Sequence, residues 1–368
     1  MVNLIDGLEY MALAQKTSPA ELASKSIHIE KPYLVFLGDV TDPLEAKTAF
    51  GLRDWIPEDL VGQWRLHPGA VDLGLPDLDP SDAVKKGARS LVIGIAPAGG
   101  KLPPHWQAAL KTALAAGLNV VSGLHTKLEQ DGGLVRAAKV ARAPDGLPPK
   151  ILDIRVPPSG LEIGCGFKRT GKRILTVAGD CAIGKKYAAL ALARDMQRAG
   201  FDATFRASGQ TGIMIAGGGL PIDSVVSDFL AGAAEALSPA AAPTHWDVVE
   251  GQGSLFHPSY AAVSLGLLHG TQPDILVYCH HPDRSEIDGC PEFSIPSIEV
   301  GIARNLEAAR LTNPGARWGG ISVDTSKMSK GSARRLLDEL QDTYNVPAMD
   351  PLRFGAGTIV DNLRQGAS

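Results

Sequence analysis

No two cysteines in this chain stand close enough to form a metal-binding pair. The four, Cys165, Cys181, Cys279 and Cys290, are scattered without a CxxC spacing. Neither a zinc site nor a disulfide framework is therefore indicated, and reduced thiols and no bound metal are the expectation. An uncharged apolar run of membrane-spanning length is also missing, so no transmembrane segment is expected. The first residues, MVNLIDGLEYMALAQ, lack the basic start, apolar core and small-residue cleavage site of a secretory signal. A cytoplasmic protein is the resulting expectation. An excess of positive charge is absent as well: the formal net charge is -4, which argues against an electrostatic nucleic-acid binder. No repeat of fixed period is present.

The chain does have the length, 368 residues, for two domains with a core each. Its 44% apolar and 21% charged residues place it among ordinary soluble globular proteins. Its 41 glycines and 26 prolines imply many turns, as α/β proteins with frequent strand-to-helix connections require. Apolar runs at 33–37, 90–95 and 118–122 read as buried parallel strands, each closing on a turn, with a helix from Pro103-Pro104 to about Ala116. A small Rossmann-like parallel sheet is expected up to about residue 145. Asp39, the loop 97–100 and His125 follow its strands, where open sheets place ligands, but no spacing there specifies chemistry. The stretches APDGLPPK, VPPSG and IGCGFKRTGK read as an interdomain connection to about residue 172, with a short strand at 151–156 inside it.

The second domain, 173–368, opens on RILTVAGDCAIGKKYAALA. An apolar strand runs into Gly179-x4-Gly184-Lys185 and then into an alanine-rich helix, the strand–loop–helix context of a phosphate-binding P-loop. The backbone of Gly179, Asp180, Cys181, Ala182, Ile183 and Gly184, with Lys185, Lys186 and Tyr187 at the helix start, is the expected anion cradle. A glycine-rich turn that only lets the helix pack on the sheet is the plainer alternative. The Ser or Thr that would ligand magnesium is absent, and Lys186 stands in its place.

Further strands at 201–206, 245–249, 275–279 and 320–323 also end in polar or glycine-rich turns. In a parallel sheet with right-handed crossovers these turns gather at one edge. Glu250 stands where P-loop proteins keep an organising acid; it either serves as a general base or caps the next loop. Asp324 either faces a nucleotide base or caps the following helix. Arg206 suits a carboxylate by bidentate contact, Arg284 is a second choice, and either could be a surface ion pair instead. Gln210 and Thr211 lie in the polar loop after 201–206. Adjacent His280 and His281 point to opposite sides of an extended segment and lack the partner spacing of a metal site. A helix is read over 222–237.

The segments AGDCAIGKKYAALALA, RASGQTGIMIAGGGLPIDSVVSDFLAGAAEAL, DVVEGQGSLFHP and CHHPDR together resemble the D-glutamate N-acetyltransferases, over most of the chain and most strongly from Lys172 to Asp324. More distantly the second domain looks like dethiobiotin synthetase. The resemblance implies a Rossmann-like N-terminal domain followed by a P-loop NTPase-like α/β domain. It implies acetyl-CoA as donor, D-glutamate as acceptor and an N-acetyl-D-glutamate racemase as pathway partner, with a homo-oligomer as the expected state. On this reading 179–187 and Asp324 bind CoA without hydrolysis, Glu250 or His257 takes the amine proton, and Arg206, Gln210, Thr211 and Arg284 meet the acceptor. An ATP- and magnesium-dependent ligase or kinase of the dethiobiotin synthetase type is the competing reading. A non-catalytic CoA or nucleotide sensor is a third.

Overall fold

Two compact units account for the chain, and they are not two simple halves: one comprises 27–157 with Gln210–Ser224, the other 158–209 with 225–368. The computed structural model describes residues 26–95 and 100–365. Residues 97–99 of the loop singled out above lie outside the described residues.

The N-terminal unit is built on a five-stranded parallel sheet: β1 (Tyr33–Gly38), β2 (Leu60–Arg65), β3 (Ser90–Ile93), β4 (Asn119–Ser122) and β5 (Ile151–Asp153), in the order β2-β1-β3-β4-β5. β1, β3 and β4 are buried at every residue, which fits their apolar centres, with polar Ser90, Asn119 and Ser122 at the ends of β3 and β4. β2 was not expected, because LVGQWR mixes apolar and polar residues among turn formers; at the sheet edge it is buried only at Gly62 and Gln63. The strand expected inside the connection is β5, and it closes the other edge of this sheet. Pairing with the sheet, not local composition, sets the end of the unit at residue 157.

Gln210–Ser224 is built into this unit. Gly218 and Gly219 pair antiparallel with Ile27 and His28. The Tyr33 hydroxyl donates to the Met214 carbonyl at 3.1 Å and Lys31 Nζ to that of Ile215 at 2.9 Å. The C-terminal edge of the sheet is filled by its own side chains. Trp106 Nε1 donates to Asp39 Oδ1 at 2.8 Å, His105 contacts the other oxygen at 3.0 Å, and the Trp106 ring lies so close to Gly38 that a Cβ there would be 2.7 Å away. His125 meets Gly100 through its backbone N–H.

The C-terminal unit carries a six-stranded parallel sheet: β6 (Lys172–Ala178), β7 (Ala203–Arg206), β8 (Trp246–Val249), β9 (Ile275–His280), β10 (Arg317–Val323) and β11 (Ala348–Met349), ordered β11-β10-β9-β6-β8-β7. β6 is central, with β8 and β9 on its two sides. From β6 the chain leaves through the helix Lys185–Arg198 toward β7; from β9 it leaves the other way through Ile298–Arg310 toward β10. Connections departing in opposite directions from adjacent strands open a crevice at their carboxyl ends, the favoured ligand position of open α/β sheets.

The connection 158–172 is docked on this unit. Buried Arg173 donates to the carbonyls of Arg169, Thr170, Gly171, Ser238 and Pro239, and Arg169 to those of Ser238, Gly270 and Thr271. Burial pulls the Arg169 guanidinium down to about 10, with Arg173 adding repulsion. Glu235 accepts from the N–H groups of Cys165 and Gly166. The helix expected over 222–237 is only Leu230–Leu237; two short 3-10 turns precede it, where the polar residues Asp223, Ser224, Ser227 and Asp228 interrupt the apolar pattern. No helix of the described residues is long and apolar enough to cross a membrane.

Candidate functional site

β6 delivers the P-loop because Ile174 to Ala178 is buried on both faces and cannot continue past Gly179 without a turn. A Cβ at Gly179 would come within 2.8 Å of the Tyr278 hydroxyl, so the strand end must be bare. The loop then uses two left-handed backbone positions, Ala182 (φ 52°) and Gly184 (φ 92°), before the helix Lys185–Arg198 begins. Nothing surrounds a Cβ at Gly184, so glycine is required there by φ and not by space. Thr176, buried in β6, locks the turn: its hydroxyl donates to the Lys185 carbonyl at 3.1 Å and accepts the Gly251 N–H at 2.9 Å.

The segment after β8 lies against this loop. At Gly251 a Cβ would sit 1.8 Å from the Thr176 carbonyl oxygen, an impossible contact with backbone, so the motif EGQG needs its first glycine for close approach. Ser254 Oγ donates to the Ala178 carbonyl at 3.0 Å. Glu250 is 3% exposed, and its Oε2 accepts the N–H groups of Ser208 and Gly209, each at 3.1 Å. The loop it caps is the earlier one that follows β7, not the loop that follows Glu250 itself.

His257 is 3% exposed. Its Nδ1 accepts from the Ser259 N–H at 3.1 Å, so Nε2 carries the proton and donates to the Asp288 carbonyl at 3.1 Å. Asp180 is fully buried; its Oδ2 accepts from the Asp288 N–H at 2.8 Å and from Arg284, while Oδ1 has no hydrogen-bond partner. Lys185, 7% exposed, donates from Nζ to the Asp180 carbonyl at 2.8 Å. Burial lowers the affinity of the Lys185 and Lys186 amines for their protons, against the attraction of Glu250. Burial also raises the Cys181 thiol, with Lys185 working against it, and pushes the Cys279 thiol up to about 12.

The loop 179–187, Glu250, His257 and Arg284 are therefore brought to the end of β6. Arg284 faces the loop itself, donating to the Cys181 carbonyl at 2.9 Å besides its ion pair with Asp180. Arg206 instead folds back to pair with buried Asp247 at 2.6 Å, the ion-pair outcome. Gln210 and Thr211 fall in the N-terminal unit, where Thr211 shares a 3.1 Å hydroxyl contact with Thr48. Asp324 forms a turn by accepting from the Ser326 N–H at 2.9 Å, and the cap of the next helix is Ser329, because the turn through Met328 separates Asp324 from the helix start. His281 Nδ1 accepts from the Asp283 N–H. Asp288 and Ser254 were not singled out from sequence: one acts through its backbone, the other through a strand-end carbonyl, and neither leaves a residue-type signature.

Comparison with known proteins agrees with this architecture. Residues 60–157 match the Rossmann-like domain described as DUF1611_N, and 162–360 match the P-loop domain described as DUF1611_C. A protein of a Pseudoalteromonas species named D-glutamate N-acetyltransferase is 46% identical over 92% of this chain and 100% of its own. Another of that name, from Tritonibacter scottomollicae, is 44% identical over 91% of this chain and 99% of its own. The crystal structure of a DUF1611 family protein from Anabaena variabilis superposes with a TM-score of 0.77 at 29% identity, covering 91% of this chain and all of that one. With both domains matched in order and relatives matched over their full length, the chain belongs to the DUF1611 family, that of the D-glutamate N-acetyltransferases.

Proposed function

We propose that the protein transfers the acetyl group of acetyl-CoA to the amine of D-glutamate, giving N-acetyl-D-glutamate and free CoA. The observation that carries this reading is the full-length match, at 46% identity, to a relative named for acetylating D-glutamate. The P-loop supports a CoA donor. Its backbone turn, helix N-terminus and two lysines favour a pyrophosphate, while Lys186 occupies the position of the magnesium-binding hydroxyl. Asp324 is assigned to the nucleotide end of the same ligand.

The acceptor ammonium must lose a proton before attacking the thioester, and Glu250 and His257 are the two groups proposed to take it. Backbone N–H groups of the glycine turn would stabilise the oxyanion. Each arginine is held by a buried acid, Arg284 by Asp180 and Arg206 by Asp247; Arg284 is the one proposed for the acceptor carboxylates because it stands against the loop. Gln210 and Thr211 stay proposed acceptor contacts on sequence grounds alone. We place the reaction in the cytoplasm, in a homo-oligomer, with an N-acetyl-D-glutamate racemase taking the product.

Incubating the purified chain with D-glutamate and acetyl-CoA should release free thiol, and Glu250→Gln or His257→Gln should slow it. With ATP and magnesium no phosphate should appear. Phosphate release without thiol release would favour a ligase or kinase and sink the acetyl-transfer reading.

A further inference from the structure

Sequence spacing gives no metal site, yet folding brings three ligating groups together at the P-loop. A carboxylate oxygen of Asp180, the Cys181 sulfur and a ring nitrogen of His257 all lie within 4.8 Å of one another. Two of the three side chains are buried and the third is half-buried. We propose that Asp180, Cys181 and His257 form a binding site for a thiophilic divalent cation of the Zn2+ class.

Three observations support it. Asp180 is fully buried, yet its Oδ1 has no hydrogen-bond partner, a costly state that a cation would relieve. Its Oδ2 is held by Arg284 and the Asp288 N–H, as outer contacts hold a ligating carboxylate. His257 makes two backbone contacts, Nε2 to the Asp288 carbonyl and Nδ1 from the Ser259 N–H; one nitrogen would exchange its contact for the ion while the other keeps the ring oriented, as backbone contacts commonly do for ligating histidines. The backbone of Asp288 thus orients two ligands at once.

The donor set selects the ion. Sulfur, imidazole and carboxylate suit Zn2+ or Co2+, whereas Mg2+ prefers oxygen alone. Bonds of about 2.0–2.3 Å at tetrahedral angles put ligand atoms roughly 3.3–3.8 Å apart, so atoms lying within 4.8 Å of one another need close by no more than about 1.5 Å. Lys185 and Arg284 oppose a cation, while the thiolate and carboxylate offset them. Three protein ligands leave a fourth position open, the arrangement of catalytic sites. The site stands without the acetyl-transfer reading. Where that reading holds, a ligating His257 leaves Glu250 as the base.

Full-length protein treated with a chelator and titrated with Co2+ tests the site. One equivalent should bind with the intense visible absorption of tetrahedral coordination and a near-ultraviolet thiolate band, both bleached by Zn2+. Cys181→Ser should abolish the thiolate band, and His257→Gln should weaken binding about tenfold or more, each variant checked for folding by its thermal melt. A pale octahedral spectrum, or a thiolate band that survives in Cys181→Ser, overturns the site. Should Cys181→Ser fail to fold, alkylation of the wild-type protein decides: Co2+ must protect Cys181, and unprotected Cys181 overturns the proposal.

Discussion

The two sheets obey the same rules and end differently. Both are open and parallel, with central strands buried along their length. At the carboxyl edge of the N-terminal sheet the acid is satisfied by local donors: Asp39 by Trp106 and His105, Asp153 by the N–H groups of Leu128 and Glu129. At the edge of the C-terminal sheet the chain spends three separate segments, 179–187, 250–257 and 284–288, on one another, and still leaves buried Asp180 Oδ1 without a partner. Parallel strands supply an edge in both units. The side chains beyond the strands decide whether that edge is closed or kept ready for a ligand.

The comparison breaks most severely at Gly251. Replacing it with Ala drives a Cβ against the Thr176 carbonyl, where no flexible side chain can give way. Overpacking of this kind costs on the order of 1–3 kcal/mol or more. We expect a large drop in melting temperature and, on the proposed acetyl-transfer reading, loss of CoA binding by calorimetry. In the N-terminal sheet, Gly94→Ala meets Val35 and Ala49 at 2.7 and 2.8 Å and should destabilise its own unit while CoA still binds.

Lys185→Ala comes next. Losing a charged hydrogen bond to an anion, worth about 1.5–3 kcal/mol, should weaken CoA binding roughly 10- to 150-fold. Asp39→Asn should leave CoA affinity unchanged, and a similar loss in both would erase the distinction between the two edges.

A smaller effect is expected from pH. Burial lowers the Lys186 amine from its usual 10.5. An amine is charged below its pKa, so a lowered value means the positive charge disappears earlier as pH rises. CoA affinity measured from neutral to alkaline pH should decline before free lysine would titrate, and Lys186→Met should flatten that limb.

The smallest effect belongs to Asp39, whose carboxyl is held below its usual 3.8 first by the Trp106 hydrogen bond, with burial opposing and His105 assisting. A depressed carboxyl stabilises the fold above the unfolded pKa and loses that contribution as pH falls through the folded one. Asp39→Asn should therefore cost a few tenths of a kcal/mol near neutral pH for so exposed a group, and its gap to the wild type should close as pH falls below about 4. Melting temperatures of the two proteins across the acid range would measure it, and a gap that persists unchanged below about pH 4 would contradict it.

Much of this was legible in the sequence. Short, mostly apolar runs bounded by turn formers, such as Tyr33–Leu37 and Ile174–Ala178, read as buried strands, and the glycines of 179–184 between such a run and an alanine-rich stretch read as a turn before a helix. The edge strand Leu60–Arg65 escaped because its two buried residues are Gly62 and Gln63, which leave no apolar run. The proline- and glycine-rich stretch before Lys172 looked like a free connection, yet buried arginines at 169 and 173 fasten it by backbone carbonyls that composition does not reveal.

What the sequence determined by itself was the alternation of strand and helix, the P-loop turn and the absence of its magnesium-binding hydroxyl, because these depend on residues adjacent in the chain. Only the tertiary structure decided that Arg206 belongs to Asp247, that Gln210–Ser224 returns to the N-terminal unit, and that Cys181 meets His257. These pairings join residues distant in the chain or set side-chain direction, and they follow from strand order and register, which no local pattern encodes.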